Sequence, residues 1–249
     1  VMYVGAGTQS VTLESTTSLT LPTINVSQGS HQFQTVVNLA DDTTLDVASS
    51  AVLELNNQVN LQGNTLTKTG DGTLEINHVL NSGTFVCAQG TCSGGGALAG
   101  NLSVLSATLS PGNSPGRLLV AGDLDLGAEA TLLLELAGTI DGSEFDVLNV
   151  GGHAAVDGTL RVALLDGFQP EAGDQFNMID FGSLSGAFAQ IVLPDLVVGH
   201  AWDTSELYES GNISVVASTV PEPSALVLSV GCACLLATRP RHSFILLCC

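Results

Sequence analysis

From Thr43 onward, leucines return at a regular beat. Leu45, Leu53, Leu61, Leu66 and Leu74 are spaced by 8, 8, 5 and 8 residues and head short stretches in which apolar and polar residues alternate. Between them stand Asn56-Asn57, Gly63-Asn64, Gly70-Asp71-Gly72 and Asn81-Ser82-Gly83, where left-handed turn conformations cost little. Three such strands occupy about twenty residues, which is one turn of a β-solenoid. Strands of one coil then stack in register on those of the next, and their inward apolar rows merge into a continuous core. This spacing predicts an all-β, solenoid-like body.

The remainder of the chain fits that class. Residues 1–40 alternate weakly through Val11, Leu13, Leu19, Leu21, Ile24, Val26, Phe33, Val36, Val37 and Leu39. Glycine is abundant at 28 residues and aromatics make up only 4%, so short runs bounded by Gly, Asn and Asp dominate, an all-β signature. Little before the C-terminal segment reads as a helix. Disorder is excluded, because 45% of residues are hydrophobic and disordered acidic chains are poor in Val, Ile and Leu.

Charge narrows the partners. Up to residue 220 the basic residues are Lys68, Arg117 and Arg161, against 23 of the chain's 24 acidic residues. Such a body is repelled by nucleic acid and by anionic membrane surfaces and suits an extracellular protein, including one that meets divalent cations.

Candidate chemistry in the sequence is thin. Asp123 and Asp125 would share one side of a strand, and Asp41, Asp42 and Asp46 form a second acidic cluster. Neither has the ligand spacing of an EF-hand, so no cofactor is expected, and Ca2+ is the one ion these carboxylates suggest. A charged strand edge that discourages edge pairing explains them better. His31, His78, His153 and His200 are scattered, with no HExxH motif and no Gly-x-Ser-x-Gly elbow. Gly94 to Gly96 lacks the Gly-Lys-Ser/Thr ending and the helix of a phosphate loop. Of six cysteines, Cys87 and Cys92 lie in the body; they either close a small disulfide loop in an oxidising compartment or remain two free thiols. Trp202 is expected to cap one end of the solenoid.

The C-terminal segment has a different grammar. Val220-Pro221-Glu222-Pro223-Ser224 is held extended by its prolines. Residues 225–237 carry no charge, and Arg239 and Arg241 follow. A membrane-spanning helix takes about 20 residues, roughly 17 at the least, and Pro223 through Thr238 comes close to that bound. Arg239 and Arg241 would then stop on the cytoplasmic side. The run is interrupted by Gly231, Cys232 and Cys234, and an apolar tail, residues 243–249, continues past the basic residues. At the other end, Val1-Met-Tyr-Val-Gly lacks the basic region and apolar core of a secretory signal, so the sequence is expected either to begin inside the natural protein or to have a misassigned start.

Two resemblances follow from these residues. Pro221, Glu222 and Pro223, the apolar run, and Arg239 with Arg241 resemble the tripartite PEP-CTERM signal of bacterial exported proteins. In that family an exosortase, a membrane-embedded transpeptidase, is thought to process it. Leu66-Thr-Lys-Thr-Gly-Asp-Gly-Thr-Leu-Glu-Ile76, followed by Asn81-Ser-Gly-Thr-Phe-Val86, resembles the autotransporter-associated β-strand repeat at Lys68, Gly70, Gly72, Thr73 and Leu74. Ser110 to Leu118, Glu135 to Gly138, Phe145 to Val150, Gly158 to Val162, Gly167 to Phe176 and Ala201-Trp202 are similar to the module that often joins that repeat to a PEP-CTERM tail.

The resemblances imply a right-handed parallel β-helix with a C-terminal hydrophobic helix. They divide the chain into solenoid repeats at 1–100, a β-rich module continuing the solenoid at 101–219, a sorting signal at 220–242 and the apolar tail at 243–249. They imply a non-enzymatic surface or matrix protein, structural or adhesive, anchored through residues 225–238 and then delivered to the cell surface or beyond. Its partners would be the exosortase machinery and extracellular polysaccharide. The alternative is a carbohydrate-active β-helix enzyme, a polysaccharide lyase or hydrolase. That reading requires converging carboxylates with Arg117 or Arg161 beside them.

Overall fold

The computed structural model of the chain describes residues 2–4, 9–15 and 20–218, and these belong to one compact unit that ends at Ser218. The fold is all-β. Among the described residues, 21 strands join one large sheet and three form a second. From Met2–Val4 to Thr65–Thr69, each strand pairs in parallel with the strand three places further on. The chain therefore winds in coils of three faces, a pattern consistent with a β-helix or solenoid.

The first face stacks Ser30–Phe33, Val52–Leu55, Thr73–Ile76, the end of Thr84–Gly94, the end of Asn101–Pro111, Thr131–Leu136, Thr159–Leu164 and Gln190–Val192. The second runs through Val36–Leu39, Val59–Asn60, Val79–Asn81, Ala97–Leu98 and Arg117–Val120. The third begins with Thr23–Val26, Thr43–Val47 and Thr65–Thr69. Thr84–Gly94 and Asn101–Pro111 bend from the third face to the first, and Val147–Val156 and Ile179–Gly186 bend from the second to the third.

Alternation sets which side chains point inward. Thr43–Val47, Val52–Leu55 and Thr131–Leu136 each alternate strictly between buried and half-buried positions, as the period of two demands. Register then aligns the inward residues. On the first face Leu53, Leu74, Cys92, Leu109, Leu132 and Leu160 form one row. Leu61 departs from its expected place at the head of a strand. It follows Val59–Asn60 and is buried at the corner beyond it, filling the vertex between two faces. Corners bring coils close together. At Gly70, where φ is 75°, a Cβ would lie 2.3 Å from the Val47 carbonyl oxygen of the preceding coil.

Outside the core, Asn38, Asn60 and Asn81 stack on the second face. The Asn60 amide donates to Asn38 at 2.7 Å, and the Asn81 amide donates to Asn60 at 3.2 Å. The second sheet is antiparallel, formed by Gln175–Asn177, Asn212–Ala217 and His200–Asp203. Its buried Phe176, Ile213 and Val215 enter the same core. Phe176 meets Phe145, Phe168 and Trp202 at centroid distances of 5.5, 6.2 and 6.1 Å. The Trp202 indole N–H donates to the Pro194 carbonyl at 2.9 Å.

Candidate functional site

The outward side of the first face carries a regular surface. Register places Thr73, Thr91, Thr108, Thr131 and Thr159 in one row across five coils. A second row runs Gln32, Glu54, Glu75, Ser93 and Ser110. Members of a row are about 4.8 Å apart, the spacing of paired strands. Across the middle of this face lies a hollow of about 710 Å³, with Thr91, Ser93, Thr108, Ser110 and Leu133 on its floor and Glu75 and Glu135 at its two ends.

One wall of the hollow is the Gly112-Asn113-Ser114 turn. Its anchor is Asp146, a fully buried carboxylate. One Asp146 oxygen accepts the Gly116 N–H at 2.7 Å and the other accepts the Glu135 N–H at 2.9 Å. The Ser114 hydroxyl donates to the Glu135 carboxylate. Burial pushes the Asp146 carboxyl up to about 7, against the pull of its two N–H donors. Burial also raises Glu75, and the neighbouring Glu54 carboxylate adds to that.

Glu75 and Glu135 stand three coil steps apart along the face. That is about 14 Å at the strand spacing, whereas a glycosidase pair needs roughly 5–10 Å. Arg117 forms an ion pair with Asp141 and donates to Asn149. Arg161 is exposed, one coil beyond Leu133 on the same face.

Three of the other acidic residues hold backbone N–H groups, while Asp46 accepts the Thr69 hydroxyl at 3.2 Å. Asp41 accepts the Ser15 N–H at 2.8 Å, Asp42 the Thr65 N–H at 2.7 Å, and Asp123 the His153 N–H at 2.8 Å. Each bond joins different coils. Among the described residues no three His, Cys, Asp or Glu side chains are grouped to hold a metal ion. The His153 ring meets two serine hydroxyls, Ser183 at Nδ1 (2.9 Å) and Ser185 at Nε2 (2.7 Å), both one coil further on. His31 Nε2 meets the Gln28 carbonyl at 2.9 Å.

Cys87 and Cys92 are joined by a disulfide whose Cα atoms are 6.4 Å apart. Both are buried, because Thr84–Gly94 bends between them and so turns two positions of opposite parity inward. Val220, Pro221, Glu222, Pro223, Ser224, the apolar run 225–238, Arg239, Arg241 and the tail 243–249 lie outside the described residues. Among the described residues no helix is long and apolar enough to cross a membrane.

Sequence reasoning named Glu135 and Ser110 within longer patterns but missed the threonine row. Its signal is a Thr directly before the inward residue, as in Thr73-Leu74, Thr91-Cys92, Thr108-Leu109, Thr131-Leu132 and Thr159-Leu160. No protein-family model matches the chain, and no curated protein matches it.

Proposed function

We propose that the chain is an exported cell-surface or extracellular-matrix protein, structural or adhesive rather than catalytic, with a right-handed parallel β-helix as its body. Parallel crossovers within one sheet are right-handed in nearly all proteins. In this reading residues 220–224 are the sorting motif, 225–238 the apolar segment that enters the membrane and Arg239 with Arg241 the basic stop, and the three together are the signal that an exosortase processes. The observation that carries the non-catalytic reading is the first face, where hydroxyls repeat coil after coil and the two carboxylates of the hollow stand too far apart for glycoside cleavage. The strongly negative body supports an extracellular place and argues against nucleic acid as a partner.

The test is expression behind an N-terminal secretion signal, with an internal tag, in a bacterium that has an exosortase. Fractionation and mass measurement should show a C-terminally trimmed species that is lost in Pro221→Ala/Pro223→Ala. Equal size and location of both forms would defeat the sorting role. A second reading, a carbohydrate-active enzyme, is favoured by Arg161, which sits diagonally across from Glu135 in the neighbouring coil. Release of reducing ends or of unsaturated sugars from a polysaccharide, abolished by Glu135→Gln, would establish it instead.

A further inference from the structure

We propose that the hollow on the first face binds one extended, non-acidic polysaccharide chain lying along the solenoid axis, one sugar unit per coil. This deepens the surface-protein reading and rests on it for the setting in which such a chain is met.

Three features support this. The first is spacing. The hollow is floored by consecutive coils, with Thr91 and Ser93 in one and Thr108 and Ser110 in the next, flanked by Glu75 before and Leu133 after. The repeat of about 4.8 Å between coils is close to the rise of one unit in an extended β-linked glycan. The sugars over the two middle coils would therefore meet equivalent pairs of hydroxyls, and those over the outer coils would meet Glu75 and Leu133. A serine or threonine hydroxyl both donates and accepts, which suits the hydroxyls of a sugar.

The second is polarity across the floor. Leu133 is half-buried in the outward row and offers an apolar seat for the C–H face of a sugar ring at the end of the hydroxyl rows. The third is charge. Glu75 and Glu135 border the hollow, and no Lys or Arg lines it, so a uronate chain would bring its carboxylates against fixed negative charge. Neutral and amine-bearing glycans meet no such barrier.

The wall explains why the site is built as it is. Ser114 is bonded to Glu135, and buried Asp146 ties Glu135 to the turn through Gly116. Wall and floor are thus held in one arrangement before a ligand arrives, which lowers the ordering cost of binding.

The experiment is titration calorimetry on the whole 249-residue chain in mild detergent, with cello-oligosaccharides of two to six units, a glucosamine hexamer and a galacturonic acid hexamer. Affinity should rise with each unit up to four, the number of coils that line the hollow, and level off beyond. The glucosamine hexamer should bind and the galacturonate hexamer should not. Thr91→Val/Ser93→Ala/Thr108→Val/Ser110→Ala should weaken binding at least tenfold. Thr91→Val/Thr108→Val, which keeps β-branched residues in both strands, serves if the fourfold variant melts early. Thr44→Val/Thr67→Val on the third face should leave affinity unchanged. The proposal is overturned if no hexamer binds, if galacturonate binds as tightly as the others, if affinity ignores chain length, or if the groove variants bind like the parent. These outcomes are independent of the trimming assay on Pro221 and Pro223, so either idea can fail alone.

Discussion

Lys68 and Cys87 are register partners in consecutive coils, and each closes the same corner of the core by different chemistry. The Lys68 side chain is fully buried, and its ammonium donates to the carbonyls of Gly70, Gly72 and Gln89, the last at 2.7 Å. All three of its donors are thus used. One coil on, Cys87 reaches Cys92 across the bend and fills the space covalently.

Lys68→Met leaves one buried and two partly buried carbonyls without their shared donor. Because unmade buried hydrogen bonds cost more than made ones contribute, the variant should lose about 3 kcal/mol of stability. Urea unfolding should show a lower midpoint with an unchanged slope.

Cys87→Ala/Cys92→Ala removes a crosslink spanning a sequence separation of 5. Loop entropy for so short a ring gives a loss of about 2 kcal/mol. With both sulfurs buried, a thiol reagent added after reductant should label the parent only once it is unfolded, as mass spectrometry would reveal.

Asp146 makes stability depend on pH with a definite sign. Its folded pKa, about 7, lies above the ordinary value of 3.8. Between those values the folded chain holds a proton that the unfolded chain has released. Its contribution is therefore fully present below pH 3.8 and is lost as pH rises through about 7. Asp146→Asn should abolish that component of the slope. It should also cost about 1–3 kcal/mol, because its NH2 group faces a backbone N–H that needs an acceptor. Denaturant unfolding of both forms at pH values from 4 to 8.5 measures each effect.

Phe176 is buried between Phe145, Phe168 and Trp202. Phe176→Ala should cost about 3–5 kcal/mol. The indole of Trp202 should then report a looser, wetter site by a red-shifted fluorescence.

The winding of the chain was legible because two local signals agree. Leucines mark the inward positions, and Gly, Asn and Asp mark the corners. The interior of one corner was not legible. Alternation with Leu66 does turn Lys68 inward, but its charge argues for the surface. Only the carbonyls of Gly70, Gly72 and Gln89, brought together by the bend, make burial tolerable. The resemblance to a known repeat singled out Lys68, Gly70 and Gly72 without giving that reason. The groove was hidden by uneven spacing. Thr91 and Thr108 are partners across one interval, Thr108 and Thr131 across a longer one, so no fixed period exposes the row. Asp146 is 30 residues from the Gly116 amide it holds, a pairing that only the fold creates.

Asn60 and Asn81, 21 residues apart, and His153 and Ser183, 30 residues apart, are both neighbours across a single coil. Within the large sheet of the described residues, successive coils thus keep one spacing while the length of chain in each varies. Residues inserted at a corner widen one thread and displace nothing along the axis, whereas removal of a whole thread draws the two ends closer by about 4.8 Å. Length along the axis is counted in turns, leaving the sequence between turns free to change what is presented at each height.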